Sequence, residues 1–423
     1  MALAPVLNEP IEGAADPAIA RAVVEQVVEA HPEVGDELAG RAVLRDGLVA
    51  LACASRSLST AIIGDAAFLD PLRDERGFRA ERDAEGYAAS WNQVEEHSAE
   101  RLRRWKRREL VRIAARDLLG AADLPAVGRE LAALAEVCLQ AAFGIVDPGV
   151  PIAVVGMGKL GGRELNYASD VDVLFVHEGD ADAAVHSARE LLSTMSNPTA
   201  DGIVFRTDAD LRPEGKSGPL SRSLDAYEAY WERWARTWEF QALIKARPVA
   251  GDPALGKRLL DAARPRVWPE VLDPDAVREV RAMKARAESE TARKGLSERE
   301  LKRGRGGIRD VEFAVQLLQL VHGRHDESVR SANTLEALGS LATAGYVERA
   351  DAGQLDEAYQ YLRTVEHRVQ LWDEQQTHTL PSDDATRSRL ARVLGYRDRG
   401  DESAVERFDA DHRAQQTRVR SIH

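Results

Sequence analysis

Cysteine is scarce in this chain. Cys53 and Cys138 are the only two in 423 residues, both in apolar helical surroundings, and no C-x-x-C pair occurs. That argues against a disulfide scaffold and a cysteine-ligated metal; two free thiols are expected, with one disulfide between them as the alternative. Long apolar runs are missing too. No stretch approaches the roughly 20 residues of a membrane span. The N-terminus has neither a basic n-region nor an apolar h-region, so the expectation is a cytoplasmic protein with no membrane partner. Nor is there a surplus of basic charge. The net charge is −13, which removes any general attraction to nucleic acid or anionic lipid. The one basic block, Arg101 to Arg108, lies in a helical pattern beside acids. It reads as a solvated helix face, with a phosphate- or partner-binding face as the alternative. Internal repeats and low-complexity segments are absent as well.

What is present suffices for ordinary globular cores. Hydrophobic residues make up 44 % of the chain, and the length predicts two or three domains. Residues 1–147 read as a helical region. Its last helix is announced by Asp123 before Leu124-Pro125, an N-cap with proline in the first turn. Leu131, Leu134, Ala135, Cys138 and Ala142 then recur at helical spacing, and Gly144 stands near the stop. Residues 148–265 read as a catalytic domain, and 266–423 as a C-terminal helical bundle.

The chemistry concentrates in Pro151 to Glu178, PIAVVGMGKLGGRELNYASDVDVLFVHE. The pattern is a strand, a glycine-rich turn, a polar connection and a second strand opening on two aspartates. Alternation puts Asp170, Asp172 and Leu174 on one face and Val171, Val173 and Phe175 on the other. Neighbouring carboxylates repel unless a cation lies between them, and an all-oxygen set suits Mg²⁺. Gly156-Met157-Gly158-Lys159-Leu160-Gly161 also matches the dinucleotide fingerprint G-x-G-x-x-G. That fingerprint wants a helix and then a parallel strand, whereas here a loop-like Asn166-Tyr167-Ala168-Ser169 follows. Glycines ending one strand meet acids beginning the next if the two run antiparallel. A P-loop is excluded by Ala153 six residues before Lys159 and by Leu160 after it.

Beyond a helix over Asp182 to Met195, broken at Asn197-Pro198, a third strand is expected over Gly202 to Leu211. Asp208 and Asp210 would share its polar face, either of them a third carboxylate for a two-metal site. Leu224, Tyr227, Trp231, Trp234 and Trp238 form an aromatic stripe, read as a buried packing face rather than a base-stacking surface. Lys245 and Arg247 are either a phosphate-neutralising pair or a surface pair. In Lys302 to Glu312 the glycines break a helix and the basic groups are candidates for a phosphate site. Arg309, Glu312, Gln316 and Gln319 then make a polar stripe on the next helix, usually a solvent-facing arrangement.

A glycine turn followed by D-x-D on a strand is the layout of polymerase-β-type nucleotidyltransferases. GMGKLGGRELNYASDVDVLF resembles more closely the signature of the glutamine synthetase adenylyltransferase family, bifunctional enzymes that add AMP to, and remove it from, a tyrosine of glutamine synthetase. The resemblance covers most of the chain, most strongly 151–178, 204–219, 236–252 and 304–313; ELNYASD, Glu374 to Thr377 and Leu380 to Asp383 are more similar to the AMP-removing half. It implies an α+β fold, a nucleotidyltransferase core embedded in helical regions. It further implies catalysis and Mg²⁺ binding, by two ions, at Asp170, Asp172 and Asp208. Matching on Leu211-Arg212-Pro213 favours Asp208 over Asp210. Nucleotide and phosphate contacts fall to Gly158, Lys159, Gly161, Gly162, Ser169, Lys245, Arg247, Arg305 and Arg309. The implied reaction takes phosphate and releases ADP and free tyrosine. A phenolate with a reference pKa near 10 leaves without a protein acid. Glutamine synthetase is the implied partner, and glutamine, 2-oxoglutarate and a nitrogen-signalling PII protein the implied effectors. The alternatives are AMP transfer from ATP to the same tyrosine, and a non-catalytic nucleotide-binding regulatory module. No second D-x-D module follows in this sequence, so the adenylylating half is expected to be absent or to belong to another polypeptide.

Overall fold

The structure, a computed structural model, describes residues 3–422 except 272, 273, 294 and 297, with only part of the side chains over Pro274–Arg293. Short helices from Asn8 onward lead to two long ones, α1 (Ala99–Leu118) and α2 (Leu124–Val146). Helix α2 starts as its sequence predicts, with the Asp123 side chain accepting from Ala126 N at 2.8 Å. It passes Gly144 and stops at Asp147, which adopts a left-handed conformation at φ 49°.

A five-stranded mixed sheet follows. Its strands are β1 (Ile152–Gly156), β2 (Val171–His177), β3 (Thr207–Asp208), β4 (Ser221–Ser223) and β5 (Arg247–Gly251), in the order β3-β2-β1-β5, with β4 also on β2. β1 runs antiparallel to both β2 and β5, whereas β3 and β4 lie parallel to β2. Between the strands lie the turn α3 (Gly158–Gly161), α4 (Ala181–Ser196), α5 (Leu224–Arg233) and α6 (Thr237–Leu243), and α7 (Pro253–Val267) follows β5.

Alternation along β1 and β2 feeds two cores. Val154, Val171, Val173 and Phe175 join α1, α2 and the earlier helices in one continuous core. Val155, Leu174 and Val176 face Tyr227, Trp231, Leu255 and Leu259 of α5 and α7. Both faces are therefore covered, which explains strands that read as near-continuous apolar runs. A third core belongs to the C-terminal helices α8 (Ile308–His322), α9 (Thr334–Thr343), α10 (Arg349–Leu371) and α11 (Ala404–Ile422).

Several expectations are corrected here. The third strand shrinks to Thr207–Asp208, because Val204 N and Phe205 N both bond Met195 O and bind that stretch to the end of α4. The aromatic stripe is not one buried face. α5 ends at Arg233, so Tyr227 and Trp231 are buried while Trp234 is 70 % exposed and Trp238 40 %. The basic block of α1 is not solvated either. Arg103 and Lys106 are buried, Arg103 donates to Thr194 O, and Lys106 reaches Glu374 across the ring of Phe205. Their long apolar stems bury while the charged ends find carboxylates and carbonyls. Cys53 and Cys138 are free and buried.

Two buried histidines make this fold acid-sensitive. Burial lowers His367 to about 3 and His412, beside the ring of Phe408, to about 4. Each stays neutral in the folded chain while the unfolded chain takes up a proton below about 6.5. Falling pH therefore favours unfolding, by about 2 kcal/mol per histidine at pH 5. The melting temperature should fall between pH 7 and 5, and His412→Gln should flatten that decline; an unchanged slope would contradict this assignment.

Candidate active site

The site is built where β1 ends beside the start of β2. Gly156 pairs with Val173, and Met157 N donates to Asp172 O at 2.8 Å, so the glycine turn lies against the acids. Gly158 sits at φ +51°, and a methyl group there would stand 2.7 Å from Asp172 Oδ2. Only glycine lets the backbone approach that carboxylate so closely. The glycines predicted to cradle phosphate divide at this point. Gly161 N and Gly162 N already donate to Met157 O and Gly158 O. A Cβ on Gly161 would fall 1.6 Å from Lys245 O. Gly161 and Gly162 thus serve close backbone packing, and their N–H groups are not open to a ligand.

The predicted acids lie on and beside neighbouring strands. Asp172 on β2 is the register partner of Asp208 on β3. Asp170, just before β2, accepts from Arg206 and, at 2.6 Å, from Gln376. Burial pushes the Asp172 carboxyl up to about 6; Lys302 opposes the rise, and Asp208 and Asp170 add to it. Asp208 and Asp210 do not share a strand face. Asp208 Oδ1 accepts from Asp210 N at 2.6 Å, closing a turn that carries Asp210 to Arg212 and Lys216. Among the described residues no three His, Cys, Asp or Glu converge as a metal cluster. The donors that are present, crowded oxygens one of which resists ionisation, nevertheless suit a hard cation that takes one or two carboxylates and completes its shell with phosphate.

A cavity of about 780 Å³ opens in front of these acids. Asp170, Asp172, Ser169, Gly158 and Lys159 line one side; Lys302, Arg303, Arg309, Glu312 and Phe313 line the other, with Trp238 and His378 also on the wall. The predicted cations separate. Lys159 and Arg309 reach the cavity. Lys245 also lines it, but its ammonium is buried against Glu164 and Thr334 Oγ1, so it is no surface group. Arg247 is directed to Glu136 at 2.6 Å and the Leu160 carbonyl, fixing the turn to α2 outside the cavity. Arg305 is exposed and does not line it. Within the same basic run, Lys302, three positions earlier, lines the cavity instead. The polar stripe of α8 faces the cavity through Arg309, Glu312 and Gln316, whereas Gln319 is buried on Val329 O and Ser331 O.

What holds the acids in place is α10. The segment Glu164 to Ala168 lies along it. Arg363 donates to Glu164 O and Asn166 Oδ1, Glu366 accepts from Asn166 Nδ2 at 2.6 Å, and Gln370 Oε1 accepts from Ala168 N. Tyr167 OH and Arg368 meet at Asp117 of α1. Glu366 also pairs with His378 Nδ1 at 2.6 Å. Burial works against the charge on Glu366, but Lys159, His378 and Arg363 hold its carboxyl well below the usual range. Sequence spacing carried no signal for these partners, some 200 residues apart.

The chain is similar to known proteins. A family model described as glutamate-ammonia ligase adenylyltransferase matches residues 46–262, and one described as GlnD PII-uridylyltransferase matches residues 278–423. A bifunctional glutamine synthetase adenylyltransferase/adenylyl-removing enzyme of Streptomyces avermitilis is 45 % identical over 416 residues, 93 % of this chain and 41 % of the relative. Proteins of the same description from Streptomyces coelicolor and Nocardia farcinica are 44 % and 46 % identical, covering 93 % and 75 % of this chain and 41 % and 33 % of their own length. The chain thus spans about two fifths of the length of the first two relatives.

Asp172→Asn should leave the melting temperature at pH 7 unchanged or higher, since it removes a buried carboxylate that repels its neighbours. Nucleotidyl transfer by the same variant should fall at least about 10²-fold. A clear loss of stability, or near-normal turnover at saturating magnesium, would remove Asp172 from the site.

Proposed function

Since the chain belongs to the glutamate-ammonia ligase adenylyltransferase family, we propose that it removes AMP from the adenylylated tyrosine of glutamine synthetase by phosphorolysis. The observation that carries this reading is a single cavity with a carboxylate wall at Asp170 and Asp172 and a cationic wall at Lys159, Lys302 and Arg309. Such a cavity suits two phosphorus centres at once, the adenylyl phosphodiester and a free phosphate. The ELNYASD run, which resembles the AMP-removing half, supports this direction.

In this reading a phosphate oxygen attacks the adenylyl phosphorus and the bond from phosphorus to the tyrosine oxygen breaks. The proton left on the new terminal phosphate passes to the phenolate, giving ADP and tyrosine. Asp170 and Asp172, with Asp208 beside them, would hold magnesium, two ions in this reading, which would supply positive charge against the phosphates. Ser169 Oγ and Lys159 would contact the adenylyl phosphate. Trp238, half-exposed on the cavity wall, offers a face for the adenine. The enzyme would act in the cytoplasm within the control of nitrogen assimilation, with a PII protein as a regulatory partner.

Two outcomes are expected. Label on the adenylylated tyrosine should appear as ADP when phosphate is added, and labelled ATP should not transfer AMP to unmodified glutamine synthetase. Incorporation from ATP without phosphate-dependent release would replace this reading with the adenylylating one. Separately, Asp208→Ala should lose activity by about 10²-fold or more, whereas Asp210→Ala should keep most of it, because Asp210 is held by Arg212 and Lys216. The reverse order would make Asp210 the third acid.

A further inference from the structure

A second cavity, of about 190 Å³, lies behind one wall of the first. Its lining is mostly apolar: Cys53 from the helix Ala42–Ala54, Val369 of α10, Trp372, and Leu390 and Val393 from the helix Asp384–Val393. The two cavities share residues 373–379. Gln376 and His378 line the active-site cavity, Gln375 lines the second, and Thr377 and Thr379 line both. This shared wall is held at its ends. Trp372 O accepts from Arg56 N at 2.8 Å, and Glu374, left-handed at φ 51°, accepts from Ser57 Oγ at 2.5 Å. At the other end Leu301 N donates to His378 O at 2.7 Å and Leu380 N to Arg299 O at 2.8 Å. Between these ties Gln376 Nε2 donates to Asp170 Oδ2 at 2.6 Å. Moving the wall from behind therefore moves a donor on an acid of the active site.

One charged group stands in the second cavity without a counter-ion. Arg389 lies over the Trp372 ring, 3.1 Å from its centroid, and among the described residues no carboxylate stands at ion-pair distance from it. The acids that face it are engaged elsewhere: Asp373 with Arg56 at 2.8 Å, Asp16 with Ile19 N and Asp383 with Thr386 N. Arg368, the other cation on the lining, is paired with Asp117. Burial pulls Arg389 below the usual guanidinium range, and a carboxylate reaching it would replace lost hydration by charge-assisted bonds. The volume sets the rest of the ligand. A dry cavity of about 150 Å³ takes up one benzene molecule, so this one has room for a single ring or a branched chain and little more. We propose that the second cavity binds a small monocarboxylate with an apolar body of that size, its carboxylate on Arg389 and its body against Cys53, Leu390 and Val393. Through Gln376, occupancy alters the hold of Asp170 on a cation, and the cation alters ligand affinity by the same factor. That coupling rests on the reading of Asp170 as a magnesium ligand; the binding itself does not.

The test uses the full chain and needs no turnover. The probe is 3-phenylpropionate, one ring and one carboxylate, titrated by calorimetry. It should bind about tenfold more tightly than 3-phenylpropanol, which lacks the charge, and than acetate, which lacks the body. Arg389→Gln should erase the preference for the acid, and Ala54→Phe, which fills the cavity, should remove binding of acid and alcohol alike. Arg389→Gln alone decides the matter where the filled variant does not fold. Equal binding of acid and alcohol by the unmodified chain would overturn the carboxylate assignment. Probe binding that survives Arg389→Gln unchanged, or no probe binding at all, would overturn the site. Manganese affinity, read by electron paramagnetic resonance, should shift about threefold when 3-phenylpropionate is bound, and Gln376→Ala should cancel the shift. An unshifted manganese affinity with the probe bound would sink the coupling. A chain that binds no manganese would sink the coupling together with the metal reading, and the carboxylate site would stand on the calorimetry.

Discussion

Arg363 is fully buried, and a guanidinium without water must find its partners inside the protein. It finds the carbonyl of Glu164, the side chain of Asn166 and the hydroxyl of Tyr359. Two of these belong to the connection between the glycine turn and the two aspartates. A loop of that length has many conformations of its own; tied to α10 at Glu164, Asn166 and Ala168 it has one. The placement of Asp170 and Asp172 therefore depends on a helix from the far end of the chain. The same helix supplies Glu366, which bonds His378 on the cavity wall, so the two walls of the cavity share a foundation.

The walls are each strained by their own charges. Asp172 resists ionisation because burial and two like neighbours disfavour its carboxylate, and Lys302 gives up its proton early because Lys159 repels it. Opposite shifts on facing groups are a pattern of functional sites rather than of structural ion pairs. Structural pairs in this protein behave otherwise: Arg112 and Arg116 enclose Glu130 in the N-terminal core at 2.7 and 3.0 Å. There the chain completes its own electrostatics at contact distance.

How much of this was legible in the sequence follows from the range of the interactions. The antiparallel pairing of β1 and β2, the D-x-D face and the cap of α2 rest on local period and turn chemistry, and they are where the sequence puts them. The third strand is shorter than its alternation predicts, because a ten-residue pattern cannot show that Val204 and Phe205 bond the end of α4. Gly161 and Gly162 looked like a phosphate cradle because glycine serves close backbone packing and ligand approach alike. Arg247, Arg305 and Lys302 were indistinguishable as basic residues near glycines. Which of them reaches the cavity is decided by Glu136 and by packing hundreds of residues away. The basic block of α1 read as solvated because its partners, Glu374 and the Thr194 carbonyl, are remote in sequence.

The cavity also has a consequence for how such a protein can be taken apart. One matched family region ends at residue 262 and the next begins at 278, and the cavity lies across that gap, with Asp170 and Asp172 on one side and Lys302 and Arg309 on the other. The unit that sequence comparison recognises is thus smaller than the unit that can hold a ligand. A hybrid joined at that natural-looking seam would bring an acid wall from one ancestor face to face with a basic wall from another. Its success would turn on the handful of contacts between residues 164–168 and α10 rather than on the similarity of either part.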